Sequence, residues 1–185
     1  MKLILENWRR YLNEDLLNEK LMLRPGPQGW DLYAKLVGEA YIAAPEHDAR
    51  VEAGYAALKE FLDSFIERIA GVVKVEYVDY HPYRSAKEMI RRVKEEGVML
   101  VSTADAEHPV LDPETNAKFR AFHDFGGHIQ RKRGFSLIGE IASYNIHVRM
   151  VPDAAVPVLF SEVIGQVCCF SVSYTHLTLP TIYSV

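Results

Sequence analysis

The stretch Phe119–Gln130, FRAFHDFGGHIQ, places two imidazoles five residues apart, with an aspartate, a phenylalanine and two glycines between them. On a regular α-helix such side chains point roughly 140° apart, because each residue turns about 100°. His123 and His128 would then serve different surfaces. They share a face where the helix widens to i→i+5 hydrogen bonding, or where it ends and the chain folds back. Gly126 and Gly127 permit either distortion, having no Cβ to clash. The glycine pair costs about 1–2 kcal/mol of helix propensity, so the spacing makes sense if both imidazoles converge.

Converging neutral imidazoles are ligands for a divalent transition metal, zinc or iron. A carboxylate commonly completes a three-ligand face and leaves positions for water or substrate. Two glutamates are candidates. Glu140 follows Gly139, whose missing side chain lets another helix approach. His147 lies two turns further along the same face. Glu162 sits in apolar sequence beside Gly165 and Gln166, where an ionised carboxylate needs a partner. This reading assigns His123, His128 and Glu140 to the metal, and Asp124 and Glu162 to catalysis. Asp124 would orient an imidazole or act as base on a metal-bound water, and Glu162 would be the base or the alternative third ligand. His147 would support the site. The competing reading makes these residues a buried hydrogen-bonded network, or pairs Glu140 and Glu162 with Arg120, Arg131 or Arg133. Gln130–Gly134, QRKRG, reads as a solvated loop, His81 and His108 as turn and loop residues, and Cys168–Cys169 as buried packing.

The elements that must position these groups follow from periodicity. Residues 3–20 carry Leu3, Leu5, Trp8, Tyr11, Leu12 and Leu16 at helical steps, which predicts an amphipathic helix there, within an N-terminal appendage, 1–24, that docks on the domain or on a partner. Pro25, Gly26, Pro27 and Gly29 end it. The rest, 30–170, is expected to be one domain. It begins with a short helix near 30–42 and a long one near 48–69, closed by Gly71. VVKVEYVDY alternates as a strand, Ser85 and Glu88 form a capping box for a helix over 86–96, and VMLVS is a second strand, parallel to the first. Asp112 and Pro113 open a helix with Phe119, Phe122 and Phe125 near one face. FSLIGEIASYNIHVRM is the next helix, and PDAAVPVLFSEVIGQVCCF another with an aspartate cap. The class is α+β, predominantly helical, with a small strand–helix–strand unit.

A formal charge of -4 makes no electrostatic case for nucleic acid or an anionic membrane. No apolar run is read as membrane-spanning, and MKLILENWRRYLNED is too charged for a secretory segment. Adjacent cysteines do not suggest a disulfide framework, so a cytoplasmic compartment is the default. The tail, 171–185, has no Asp, Glu, Lys or Arg, and Val172 to Thr181 is one reading frame of a transposase adaptor used to build sequencing libraries. It is therefore expected to be non-native and to lie outside the core, with the natural chain cut off near Phe170.

FHDFGGH is similar to the histidine-pair motif of the aromatic amino acid hydroxylases. That resemblance implies non-haem iron held by His123, His128 and a later glutamate, for which Glu162 is the better-placed match. Over a longer stretch, from about Val75 to Phe170, HPVLDPETNAKFRAFHDFGGHI, FSLIGEIASYNIH and VLFSEVIGQVCCF resemble a family of uncharacterised bacteriophage and phage-metagenome proteins. This implies a viral source, a host-cytoplasmic or virion location, and a phage structural partner for the N-terminal helix. The expectation is a metal-dependent enzyme, hydrolysis on zinc coming before oxidation on iron. The alternative is a non-catalytic virion or host-interaction protein.

Overall fold

A computed structural model describes Leu23, residues 29–44 and residues 51–173. The N-terminal helix expected over 3–20 and the tail beyond 173 lie outside the described residues. Helix α1 (Gly29–Ile42) is followed by α2 (Glu52–Ile69), β1 (Lys74–Val78), α3 (Ala86–Glu96) and β2 (Val98–Ser102). Helix α4 (Pro113–Phe122) runs directly into a first π-helical segment, His123–Ile129. Then come α5 (Leu137–His147), a 3₁₀ turn at Asp153–Ala155, α6 (Val156–Phe160), a second π segment at Ser161–Gly165, and α7 (Gln166–Ser173). The architecture is α+β and mostly helical.

The strand–helix–strand unit forms as its local signals dictate. Ser85 Oγ accepts from Glu88 N–H at 3.2 Å, and Glu88 reaches back to the N–H of Arg84, one residue before the cap. Gly97 stops α3 in the left-handed conformation at φ 69°, which a side chain would strain. The strands pair in parallel, Lys74 opposite Val98 through Val78 opposite Ser102. Only β2 contributes buried residues, Met99, Val101 and Ser102. Tyr77 of β1 is 45% exposed.

The core joins α2 to the helix that carries the histidines. Phe65 meets Phe122 edge-on at 4.9 Å and Phe125 at 6.3 Å, and Phe61 meets Phe122 at 5.1 Å. Fully burying each such ring contributes about 2–3 kcal/mol. Arg120, only 1% exposed, fastens the other side of α4. Its Nη1 donates to the carbonyls of Ser102 and Ala104, and its Nη2 to that of Asp105, all within 2.9 Å. It is not the partner of Glu140 or Glu162 that the sequence allowed.

The C-terminal helical run, Asp153–Val172, spans 20 residues and is long and apolar enough to cross a membrane, against the sequence reading. Sixty-seven per cent, 67%, of its most apolar window is buried inside the fold, as in the core helix of a soluble protein. The aspartate expected to cap this run is the first residue of the 3₁₀ turn, with Pro152 at the position before it. Helix α1 packs on α7 at Gly38, where a Cβ would lie 2.5 Å from the Cys168 carbonyl oxygen. Both cysteines are buried free thiols, and burial pushes the Cys168 thiol up to about 12. Helix α7 continues through Ser171 to Ser173, with Ser171 exposed.

Candidate metal centre

The π segment brings the two histidines together. Gln130 N–H donates to the Phe125 carbonyl at 3.0 Å, and Arg133 N–H to that of His128 at 3.2 Å, both i→i+5. Five residues then make little more than one turn, and the imidazoles share a face. Their Nε2 atoms lie 2.9 Å apart. Glu140, from α5, places Oε2 3.0 Å from His123 Nε2 and Oε1 3.4 Å from His128 Nε2. His123, His128 and Glu140 each offer a ligand atom within 4.8 Å of the others, and all three residues are buried.

These separations match donors around one ion. Atoms about 2.0–2.1 Å from a common centre, at angles of roughly 90–110°, lie roughly 2.9–3.4 Å apart. Alignment agrees. Both Glu140 oxygens lie within ion-pair distance of the imidazoles yet accept no well-aligned hydrogen bond. That is the geometry of groups aimed at a shared point rather than at each other. His128 Nδ1 lies 3.2 Å from the Arg133 carbonyl, a contact that places the ring proton on Nδ1 and turns the Nε2 lone pair inward.

Electrostatics follow the same convergence. Burial alone would raise the Glu140 carboxyl, but His123 and His128 hold it below its ordinary range. Burial likewise pulls His128 down, but the Glu140 carboxylate, Asp124 and the Arg133 carbonyl hold it above its ordinary value. For His147, burial and the neighbouring imidazoles push the pKa well below 6.5 against a smaller raising contact with the His123 backbone, and neither ring nitrogen makes a well-aligned hydrogen bond. Its ring packs 4.2 Å from that of Phe122 and 5.3 Å from that of His123.

The glycines admit α5 to this face. A Cβ on Gly127 would meet Ser143 Oγ at 2.8 Å and His147 Nε2 at 2.9 Å. Gly139 acts differently from expectation. A Cβ there would lie 1.9 Å from the Gly134 carbonyl oxygen, so it admits the loop before α5 rather than another helix. That loop backs the site, with Phe135 edge-on to His128 at 4.8 Å.

Asp124 is buried beside the centre but hydrogen-bonds neither imidazole, so it does not orient a ligand. The Arg133 carbonyl does that for His128. Its Oδ2 has no partner, and burial raises its pKa to about 6, against the lowering charges of His123, His128 and Arg120. A carboxyl raised from 3.8 contributes stability below that value and loses it as pH rises through about 6. In metal-free protein, Asp124→Asn should therefore stabilise by about 1–3 kcal/mol at pH 8. The gain should shrink as pH falls below about 6. Urea melts across that range check this, and a gain independent of pH would contradict it.

Glu162 belongs to a different cluster. It accepts from Tyr55 Oη at 2.5 Å and Gln166 Nε2 at 2.6 Å, and lies 3.0 Å from His108 Nε2. His108 Nδ1 accepts the N–H groups of Val110 and Leu111, so the ring proton is on Nε2 and is donated to Glu162. Three donors thus satisfy a carboxylate in the second π segment, which corrects its reading as third ligand or base at the histidine pair. His108, read from sequence as a loop residue, was missed. The Glu162–Gln166 spacing, i to i+4, was the available signal. Glu162→Gln would set an amide N–H₂ against donors and should cost about 1–3 kcal/mol. Denaturation should show that loss with metal content unchanged, and a loss of metal would reinstate Glu162 at the centre.

Comparisons with family models, with curated proteins and with solved structures find no match to this chain.

Proposed function

We propose that the protein binds one divalent metal ion through His123, His128 and Glu140 and uses it for hydrolysis. The observation that carries this reading is the convergence of three buried donor atoms within 4.8 Å, spaced as ligands of one ion. Three protein ligands leave a coordination position free, as in catalytic rather than structural zinc sites. The metal would supply Lewis acidity to a water or to a substrate oxygen. Around it, the chain leaves Asp124 Oδ2, His123 Nδ1 and both His147 ring nitrogens without partners, acceptors and donors that can hold water and substrate. Zinc is the first choice because hydrolysis needs no redox change. Iron, implied by the hydroxylase-like FHDFGGH, is the second, since two histidines and a carboxylate also suit iron.

One observation favours a non-catalytic reading: His123 is 2% exposed and His128 and Glu140 0%, so the centre as it stands only ties α5 to the π segment. Hydrolysis of ester and phosphoester probes by zinc-loaded, metal-stripped and His128→Ala protein separates the two. Turnover in the zinc-loaded protein alone supports the enzyme. A bound zinc that raises the melting temperature without turnover selects the structural role.

A further inference from the structure

Resting on the metal-centre reading, we propose that the substrate class is a small phosphate ester, bound where the loop 130–136 meets the first turn of α3. An open cavity of about 310 Å³ lies there, lined by Ala86, Lys87, Ile90, Lys132, Arg133 and Gly134. Its volume is at the small end of ligand sites, roughly 300–1,000 Å³. Three lining side chains are cations and none is a carboxylate. Among the described residues, Lys87, Lys132 and Arg133 form no ion pair, although the chain as a whole carries a charge of -4.

The backbone adds to the same field. Ser85 Oγ takes the Glu88 N–H, while the N–H groups of Ala86 and Lys87 have no acceptor within the helix. Both residues line the cavity, at the positive end of an 11-residue helix. Glu88, the acidic residue of that turn, accepts from the N–H of Arg84 at 2.9 Å and does not line the cavity. Ala86 and Ile90 supply an apolar wall for the organic part of an ester.

The cavity also adjoins the metal centre. Arg133 lines it, and the Arg133 carbonyl contacts His128 Nδ1. Gly134 lines it and presses its carbonyl against Gly139, next to Glu140. Residues 131–134 are exposed and belong to no helix or strand, unlike the π segment and α5 that supply the ligands. This exposed loop therefore touches both the cavity and the supports of His128 and Glu140, so an anion held by its cations sits beside the centre.

Phenyl phosphate titrated into zinc-loaded protein by calorimetry at low salt tests the proposal. Binding should weaken at least about tenfold in Lys87→Ala/Lys132→Ala, as loss of charge-assisted contacts requires. Zinc content and melting temperature should hold, and the remote pair Lys35→Ala/Lys74→Ala should bind as the parent does. Unchanged binding in the cavity variant, or equal weakening in the remote one, overturns the site. Zinc held without any phenyl phosphate binding removes the phosphate site and leaves the metal reading intact. Binding that depends on the two lysines in a protein holding no zinc does the reverse.

Discussion

Glu140→Gln is expected to strip the protein of its metal while leaving the fold in place. The amide keeps the size of the side chain and removes the anionic donor that faces both imidazoles, at 3.0 and 3.4 Å. Losing one of three ligands should weaken zinc by more than the roughly 10–100-fold that losing a supporting contact costs. The pH dependence of the metal-free proteins gives a second signature. A carboxyl lowered from 4.5 contributes stability above that value and loses it as pH falls. A histidine raised from 6.5 contributes below that value and loses it as pH rises. Together they favour metal-free parent protein most between about 4.5 and 6.5. Glu140→Gln should remove that maximum. Full zinc occupancy in the variant would leave a polar core network as the better account.

Gly139→Ala should be the most damaging of the small substitutions. The added Cβ would stand 1.9 Å from the carbonyl oxygen and 2.8 Å from the carbonyl carbon of Gly134, both backbone atoms that cannot swing aside. Relief requires shifting the loop, at a cost of about 3 kcal/mol. The same loop holds His128 through the Arg133 carbonyl and the Phe135 ring, so zinc affinity should fall about 10–100-fold. Gly71→Ala, whose added Cβ meets nothing within 4 Å, is the control and should be close to neutral. Equal stability and zinc affinity in the two variants would mean that the loop is not packed as described.

What was legible in the sequence was local. The five-residue step from His123 to His128 and the glycines between them pointed to an i→i+5 turn or a helix end that folds back, and the helix there is a π segment. Glu140 and His147, seven apart, fell on one face of α5, and both are buried towards the pair. The Ser85 and Asp112 caps are seen as hydrogen bonds to Glu88 and Thr115. What the sequence hid depends on distant partners. The Arg120 guanidinium satisfies three carbonyls at and just beyond the end of β2, a role that no periodicity encodes. Glu162 met the expectation that a buried carboxylate needs partners, but two of them, Tyr55 and His108, lie 107 and 54 residues away. Gly139 was recognised as a point of close approach, and only the fold shows that the approaching chain is Gly134.

The central claim is that His123, His128 and Glu140 hold one metal ion. Zinc loading of metal-stripped protein, followed by elemental analysis and X-ray absorption at the zinc edge, tests it most directly. The account predicts one zinc per chain with two imidazoles and a carboxylate in its first shell, and none in His123→Ala/His128→Ala. Less than about a tenth of an ion per chain, or a shell without imidazole, would contradict it.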